Sequence, residues 1–258
     1  MGIKARRYAD ILAGAPEYVT GRQEEWKAFL ATAARNYKYP YYDQLMIYLQ
    51  RPEATACAEY DFWFDTMHRY VKRGAKGIAL VDNEGDSPRL RYVFDVADTG
   101  ARRNSRPVWL WQMKEEYRNP VMAALERAYG ISGENQSLEA QLEQVAGRLA
   151  ADYWLDYGRQ IRGIVADSFL EEYDEFNIGT VFRKAAQASI AYTLSVRCTE
   201  EGENLFEPED FRDVSDFNTR QTAAALGTAV SSISREVFRE IERAIRDYER
   251  TKAQERSQ

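Results

Sequence analysis

From residue 138 to residue 248 the apolar residues recur three or four positions apart, and this rhythm limits what the chain can become. Leu138, Leu142, Val145, Leu149 and Tyr153 form one stripe, continued by Ile161 and Val165. Phe182, Ala185, Ala186, Ile190 and Leu194 mark a second helix over about 179–197. A third begins near Thr219 and carries Val230, Ile233, Val237, Ile241, Ile245 and Tyr248 on one face. Each stripe needs an apolar partner along one helix face and leaves no alternation for a strand. Packed on one another, such helices make a bundle, with the last stripe the best placed to be shared with another protein. Beyond it, Glu249 to Gln258 has no apolar anchor and is expected to fray.

The first half has a different rhythm. A short helix over about 5–13 is expected to break at Gly14 and Pro16. The next starts after Thr20, a plausible N-cap with Gln23 three residues on, and presents Trp26, Phe29, Leu30 and Ala33. It ends before Tyr37-Lys38-Tyr39-Pro40, because a residue preceding proline avoids the helical region. Tyr41–Gln50 and about 59–67 read as further helices, the latter with Tyr60, Trp63, Phe64 and Met67 at helical spacing. Ile78–Val81 and Arg89–Val96 then read as an antiparallel hairpin around a polar turn. Asp82, Glu84 and Asp86 in that turn loosely follow calcium-loop spacing. The twelfth position would be Val93 rather than glutamate, so a solvated turn is expected. A polar, basic connector at 98–107 leads into the helices. The fold class is α+β and predominantly α-helical, with a small antiparallel sheet in residues 1–105 and a helical bundle in 106–258.

Residue counts remove much of enzymology. His68 is the only histidine, so no two-histidine metal site can form within the chain. The two cysteines, Cys57 and Cys198, are expected as small packing residues near a helix start and a helix end, and His68 near another helix end. Phosphate-loop, dinucleotide-turn and nucleophile-elbow motifs are missing. Glu25-Trp-Lys27 has the Glu-x-Lys end of one nuclease motif, but on a helix and without a strand-borne aspartate before it. The expectation is a protein that is not an enzyme and has no metal and no cofactor. With no apolar run of membrane length and no apolar stretch after the basic start, the expected compartment is the cytoplasm.

Charge is uneven. The net charge of −6 argues against a general polyanion binder, yet residues 1–110 hold 17 Lys+Arg against 14 Asp+Glu, and the acidic excess lies beyond them. The densest basic feature is Arg69-Tyr70-Val71-Lys72-Arg73-Gly74-Ala75-Lys76-Gly77. Cations around glycines that let the backbone approach a ligand suit phosphate, although a hairpin entry needs glycines too. Close by in sequence are many aromatic residues, on which bases of a single strand can stack. Trp63 and Phe64 are expected in the core, while Tyr39, Tyr41 and Tyr42, flanking a proline break, are the rings expected at the surface. Arg102, Arg103 and Arg106 read as solubilising charges of the connector.

The order of these motifs carries a resemblance. Trp26-x-x-Phe29-Leu30, Tyr39-Pro-Tyr-Tyr-Asp-Gln44-Leu-Met-Ile-Tyr48, Trp63, Val71-Lys-Arg-Gly-Ala-Lys-Gly-Ile78 and Tyr92-Val-Phe-Asp-Val96 follow one another. Over about residues 20–100 the chain resembles the N-terminal single-stranded-DNA-binding domain of ArdC-type antirestriction proteins. It is similar also to the N-terminal region of large helicase- or methylase-like proteins of Gram-positive conjugative elements. The resemblance implies sequence-tolerant binding of single-stranded DNA that shields a mobile element from host defence. It carries over Lys72, Arg73, Gly74, Lys76 and Gly77 as the basic turn, beside Arg69, and Tyr39, Tyr41 and Gln44 as an aromatic helix start. The zinc-protease-like domain that ends ArdC-type proteins has no counterpart here. The alternative is a protein inhibitor that binds a host defence nuclease, a restriction or CRISPR effector, through the acidic helical half. Which defence system is opposed and the oligomeric state stay open.

Overall fold

A computed structural model describes residues 3–82, 87–200, 202 and 204–256. Its helices are α1 (Ile3–Thr20), α2 (Gln23–Arg35), α3 (Tyr41–Gln50), α4 (Glu115–Tyr129), α5 (Leu138–Arg162), α6 (Glu175–Cys198) and α7 (Arg220–Glu255). Between α3 and α4 lie the strands β1 (Cys57–Glu59), β2 (Arg69–Val71), β3 (Ile78–Asp82), β4 (Arg89–Asp95) and β5 (Thr99–Ala101). β3 and β4 form the expected antiparallel hairpin, with Ile78 opposite Val93, and β1 adds to the other edge of β4. β2 and β5 pair separately and antiparallel, with Tyr70 opposite Gly100. The chain is therefore α+β and mostly helical, its small sheets confined to the first half. Glu84 and Asp86 of the calcium-like spacing lie outside the described residues.

Four local expectations are corrected. α1 runs unbroken through Gly14 and Pro16. Pro16 lacks the N–H that a helix uses, but it lies buried with Leu12, Ala15 and Val19, and that packing outweighs the lost bond. Thr20 does not cap α2. Its hydroxyl instead donates to the Pro16 carbonyl at 3.1 Å and closes α1. Over 59–67 the expected helix gives way to β1 and a single π-helical turn, Phe62–Thr66. The cause is nonlocal: the Asp95 carboxylate at the end of β4 accepts from the Thr55 and Ala56 N–H groups at 2.7 and 2.9 Å, holding the chain extended into β1. Cys57 accordingly sits on a strand, not at a helix start, whereas Cys198 is the last residue of α6. The connector carries structure of its own. β5 occupies its first half, and Ser105 Oγ donates to the carbonyl of His68, which has φ +53° just beyond the π-helical turn.

Amphipathic helices bury the stripes they carry. α5 packs on α6, α6 on α7, and α4 on α7. Ser137 and Asp174 cap α5 and α6 by accepting from Ala140 and Asn177 N–H groups. The last stripe is not left for a partner: Val230, Ile233, Val237, Ile241 and Ile245 are all buried within the chain. Nor does α7 fray after Glu249. The Tyr117 hydroxyl donates to Glu249 at 2.7 Å and Lys252 pairs with Glu116, so α4 holds the helix through Glu255.

One core joins the early helices to the late ones. α2 lies on α6, where Trp26 Nε1 donates to Ser189 Oγ at 2.9 Å, and α1 lies on α7. Tyr41, the first residue of α3, presses its ring on Gly227 of α7, where a Cβ would stand 2.1 Å from the ring. The two halves pack as a unit, and β3 rests on α3 and α1.

Candidate nucleic-acid interface

The basic turn sits where the short strands leave the core. Lys72–Ala75 is a tight turn closed by the Ala75 N–H to the Lys72 carbonyl at 3.1 Å. Its third residue, Gly74, has φ +85°, a conformation that side chains disfavour and glycine adopts freely. Lys72, Arg73 and Lys76 are exposed. Among the described residues neither Arg73 nor Lys76 forms an ion pair. Lys72 donates to the Ala97 carbonyl at 2.9 Å and Arg69 Nε to Thr99 Oγ1 at 2.8 Å, which ties the turn to the start of β5. Gly77 leaves room for the Phe94 ring, 3.1 Å from where its Cβ would stand.

The aromatic half of the expected site is elsewhere. Tyr41 and Gln44 are buried, at 3% and 2% exposure, beneath α7 and the end of α2, so neither can meet a base. Tyr39 is half-buried, with its hydroxyl given to the Cys57 carbonyl at 2.9 Å. Of the three rings expected outside, Tyr42 alone is exposed. Phe64, expected inside with Trp63, is at the surface, because the turn from Tyr60 to Thr66 buries Trp63 and directs its neighbours outward. Trp63 Nε1 donates to the Phe94 carbonyl at 2.9 Å and anchors that turn on β4.

Exposed rings gather beside the turn. Tyr60 and Phe64 lie 6.0 Å apart and nearly parallel, at 10°. The Arg102 guanidinium is 4.8 Å from the Phe64 ring centre and 5.9 Å from that of Tyr70. Tyr60 contacts Phe94, and Phe94 contacts Gly77. A continuous run therefore leads from Tyr70 through Arg102, Phe64, Tyr60 and Phe94 to the basic turn. Bases stack on exposed rings, and arginine stacks on both rings and bases while keeping its charge for phosphate. Sequence reasoning missed Tyr60, Phe64, Tyr70 and Arg102 as a group. The available signal was the four-residue spacing of Tyr60 and Phe64, which puts them on one face, with the buried Trp63 on another.

Other candidate chemistry is engaged structurally. Glu25 accepts from the Tyr48 hydroxyl at 2.8 Å while Lys27 donates to the Phe206 carbonyl at 2.6 Å, so the Glu-x-Lys pair serves separate contacts. Burial pushes the Cys57 thiol up to about 12, aided by the nearby Asp95 charge, and burial takes Cys198 to about 12 as well. Among the described residues no three His, Cys, Asp or Glu side chains converge as metal ligands do. No described helix is long and apolar enough to cross a membrane. No family model, curated protein or solved structure matches the chain.

Proposed function

We propose that the chain is a noncatalytic, single-stranded-DNA-binding module that serves counter-defence on a mobile genetic element. The observation that carries this reading is the run of exposed rings and Arg102 leading into the cationic glycine turn. Sequence-tolerant single-strand binding needs both a stacking platform and charge along the backbone path. The counter-defence role rests on the resemblance to ArdC-type domains alone. Acidity elsewhere keeps the rest of the surface from competing for the strand, so that binding concentrates on this face.

The test is a salt titration of binding to labelled single- and double-stranded oligonucleotides. The expected result is single-strand binding with a slope of about 0.7 per phosphate neutralised. Reversing Lys72, Arg73 and Lys76 to glutamate is expected to abolish it without loss of fold, since these side chains are solvated. Undiminished binding by that variant overturns the site. A second reading, inhibition of a host nuclease, draws on the groove of about 730 Å³ between α5, α6 and the 3-10 segment Pro208–Asp216. Five carboxylates, among them Glu143, Glu209 and Asp213, line it against two cations, Lys184 and Arg212. That reading expects the glutamate variant to stay active against the nuclease and charge reversals in the groove to abolish activity.

A further inference from the structure

A second site is built where the early and late helices meet, on the other side of the π-helical turn from the exposed rings. Phe62 and Trp63 help wall a cleft of about 520 Å³, whereas Phe64 belongs to the outer run. The volume is in the range of small-molecule sites, about 300–1,000 Å³. Its remaining wall comes from the chain after α2, the approach to β1, the segment 107–111, and one arginine each from α6 and α7.

The lining has an unusual balance for a chain of net charge −6. Arg35, Lys38, Arg197 and Arg246 face the cleft and, among the described residues, no Asp or Glu lines it. Glu242, behind the wall, is already shared by the Tyr37 hydroxyl, Lys38 and Arg246. Arg197 has no ion pair among the described residues. Its guanidinium lies 4.1 Å from the Trp111 ring centre and 5.3 Å from that of Tyr37, and one Nη donates to the Trp111 carbonyl at 3.3 Å. Its Nε is buried and has no partner. Asn36, at 4% exposure on the same wall, has its Oδ1 unpartnered while its amide nitrogen donates to Thr32 and Ala54 carbonyls. Arg246 lies 4.3 Å from the centre of the Trp109 ring, which is 36% exposed at the cleft. Burial pulls Arg197 below its ordinary basicity, against the opposing pull of the nearby Glu242 charge.

We propose that this cleft binds one nucleotide unit, its base against Trp109 and Tyr39 and its phosphate on Arg197 and Arg246. The flat rings supply stacking and the arginines supply phosphate recognition. The inference goes beyond the strand-binding reading and does not depend on it, because none of its residues belongs to the outer ring run or the basic turn.

Calorimetric titration of the full chain with 5′-AMP, adenosine and inorganic phosphate tests it. AMP is expected to bind saturably, and about tenfold or more tighter than adenosine or phosphate, since each of these lacks one half of the recognition. Trp109→Ala, which removes the stacking face, and Arg246→Gln, which removes a phosphate donor, are each expected to weaken AMP by about tenfold with unchanged circular dichroism. The glutamate variant of Lys72, Arg73 and Lys76 is expected to retain AMP binding. AMP that binds no better than phosphate, or that binds Trp109→Ala and Arg246→Gln as it binds wild type, overturns the proposal. Strand binding without AMP binding sinks the cleft and leaves the outer surface standing; AMP binding without strand binding does the reverse.

Discussion

The helical half buries the rings of its facing stripes and leaves exposed only rings toward helix ends and connections, such as Tyr157, Phe169, Tyr173 and Phe176, whereas the strand-bearing segment leaves most of its rings at the surface. Phe182, Phe211, Phe217 and Phe238 are fully buried, each against rings from other segments of the chain. Between residues 60 and 92, Tyr60, Phe62, Phe64, Tyr70 and Tyr92 all stand at 37–48% exposure. For rings on the packed faces the difference follows from element length. α5, α6 and α7 are 25, 24 and 36 residues long and can enclose a ring from several sides. Strands of three residues, such as β1, β2 and β5, offer too little face to cover one. Rings that a region cannot bury contribute little to its stability and remain available to a ligand.

Truncation separates the two populations most strongly. Phe182 contacts Tyr153, Trp154 and Phe217, and Phe182→Ala is expected to cost about 3–5 kcal/mol in urea unfolding. Phe64→Ala is expected to stay within about 1 kcal/mol of wild type, because much of its surface already meets water. Equal losses at the two positions would dissolve the distinction.

Binding reverses the order. Tyr60→Ala and Phe64→Ala are each expected to weaken single-strand affinity by about 1–3 kcal/mol with the salt slope unchanged, since stacking releases no counterions. Phe182→Ala, tested at a temperature where it is folded, is expected to bind as wild type does. An outer-ring variant with full affinity would remove the stacking platform from the proposed function.

How much of this contrast was legible in the sequence differs between the halves for the same reason. Stripes such as Leu138–Leu142–Val145 are local patterns, and α5, α6 and α7 form where they occur. Tyr41 and Phe64 could not be assigned to a side from their neighbours alone. Tyr41 is covered because Gly227, far along the chain, leaves a gap for its ring, and Phe64 is uncovered because Asp95 draws residues 55 and 56 toward β4. β5 was hidden in a polar connector because its partner β2 lies elsewhere in sequence. Pro16 misled for a related reason: local propensity favours a break, and buried neighbours override it. The basic turn was legible because its glycines and cations are contiguous.

Acid should weaken the joint between the halves through Glu242. Burial alone would raise the Glu242 carboxyl, but the Tyr37 hydrogen bond and the Lys38 and Arg246 cations hold it below its ordinary value. A depressed folded value means that the carboxylate contributes stability above the unfolded pKa, about 4.3, and that this is lost as pH falls through the folded value. Wild type is therefore expected to lose stability more steeply than Glu242→Gln below about pH 4.5 in urea titrations. Parallel pH profiles for the two proteins would count against this joint as an acid-sensitive contact.

The smallest expected effect on stability concerns Gly74, and it isolates backbone from contact. Nothing lies within 4 Å of the position a Cβ would take there, so Gly74→Ala introduces no clash. What changes is torsional: at φ +85° an alanine is strained by about 1–2 kcal/mol, and the turn can relax toward a conformation with negative φ. Because the turn is exposed and outside the core, relaxation is expected to limit the loss of global stability to about 1 kcal/mol or less. Single-strand affinity is expected to fall further than stability does, since the amides and cations of Lys72–Gly77 would no longer present the same face to a phosphate. Replacing Gly74 by a D-alanine, which prefers positive φ, is expected to restore affinity through chemical ligation of the chain. If Gly74→Ala binds as wild type does, the cations alone supply the contact and the shape of the turn is incidental to it.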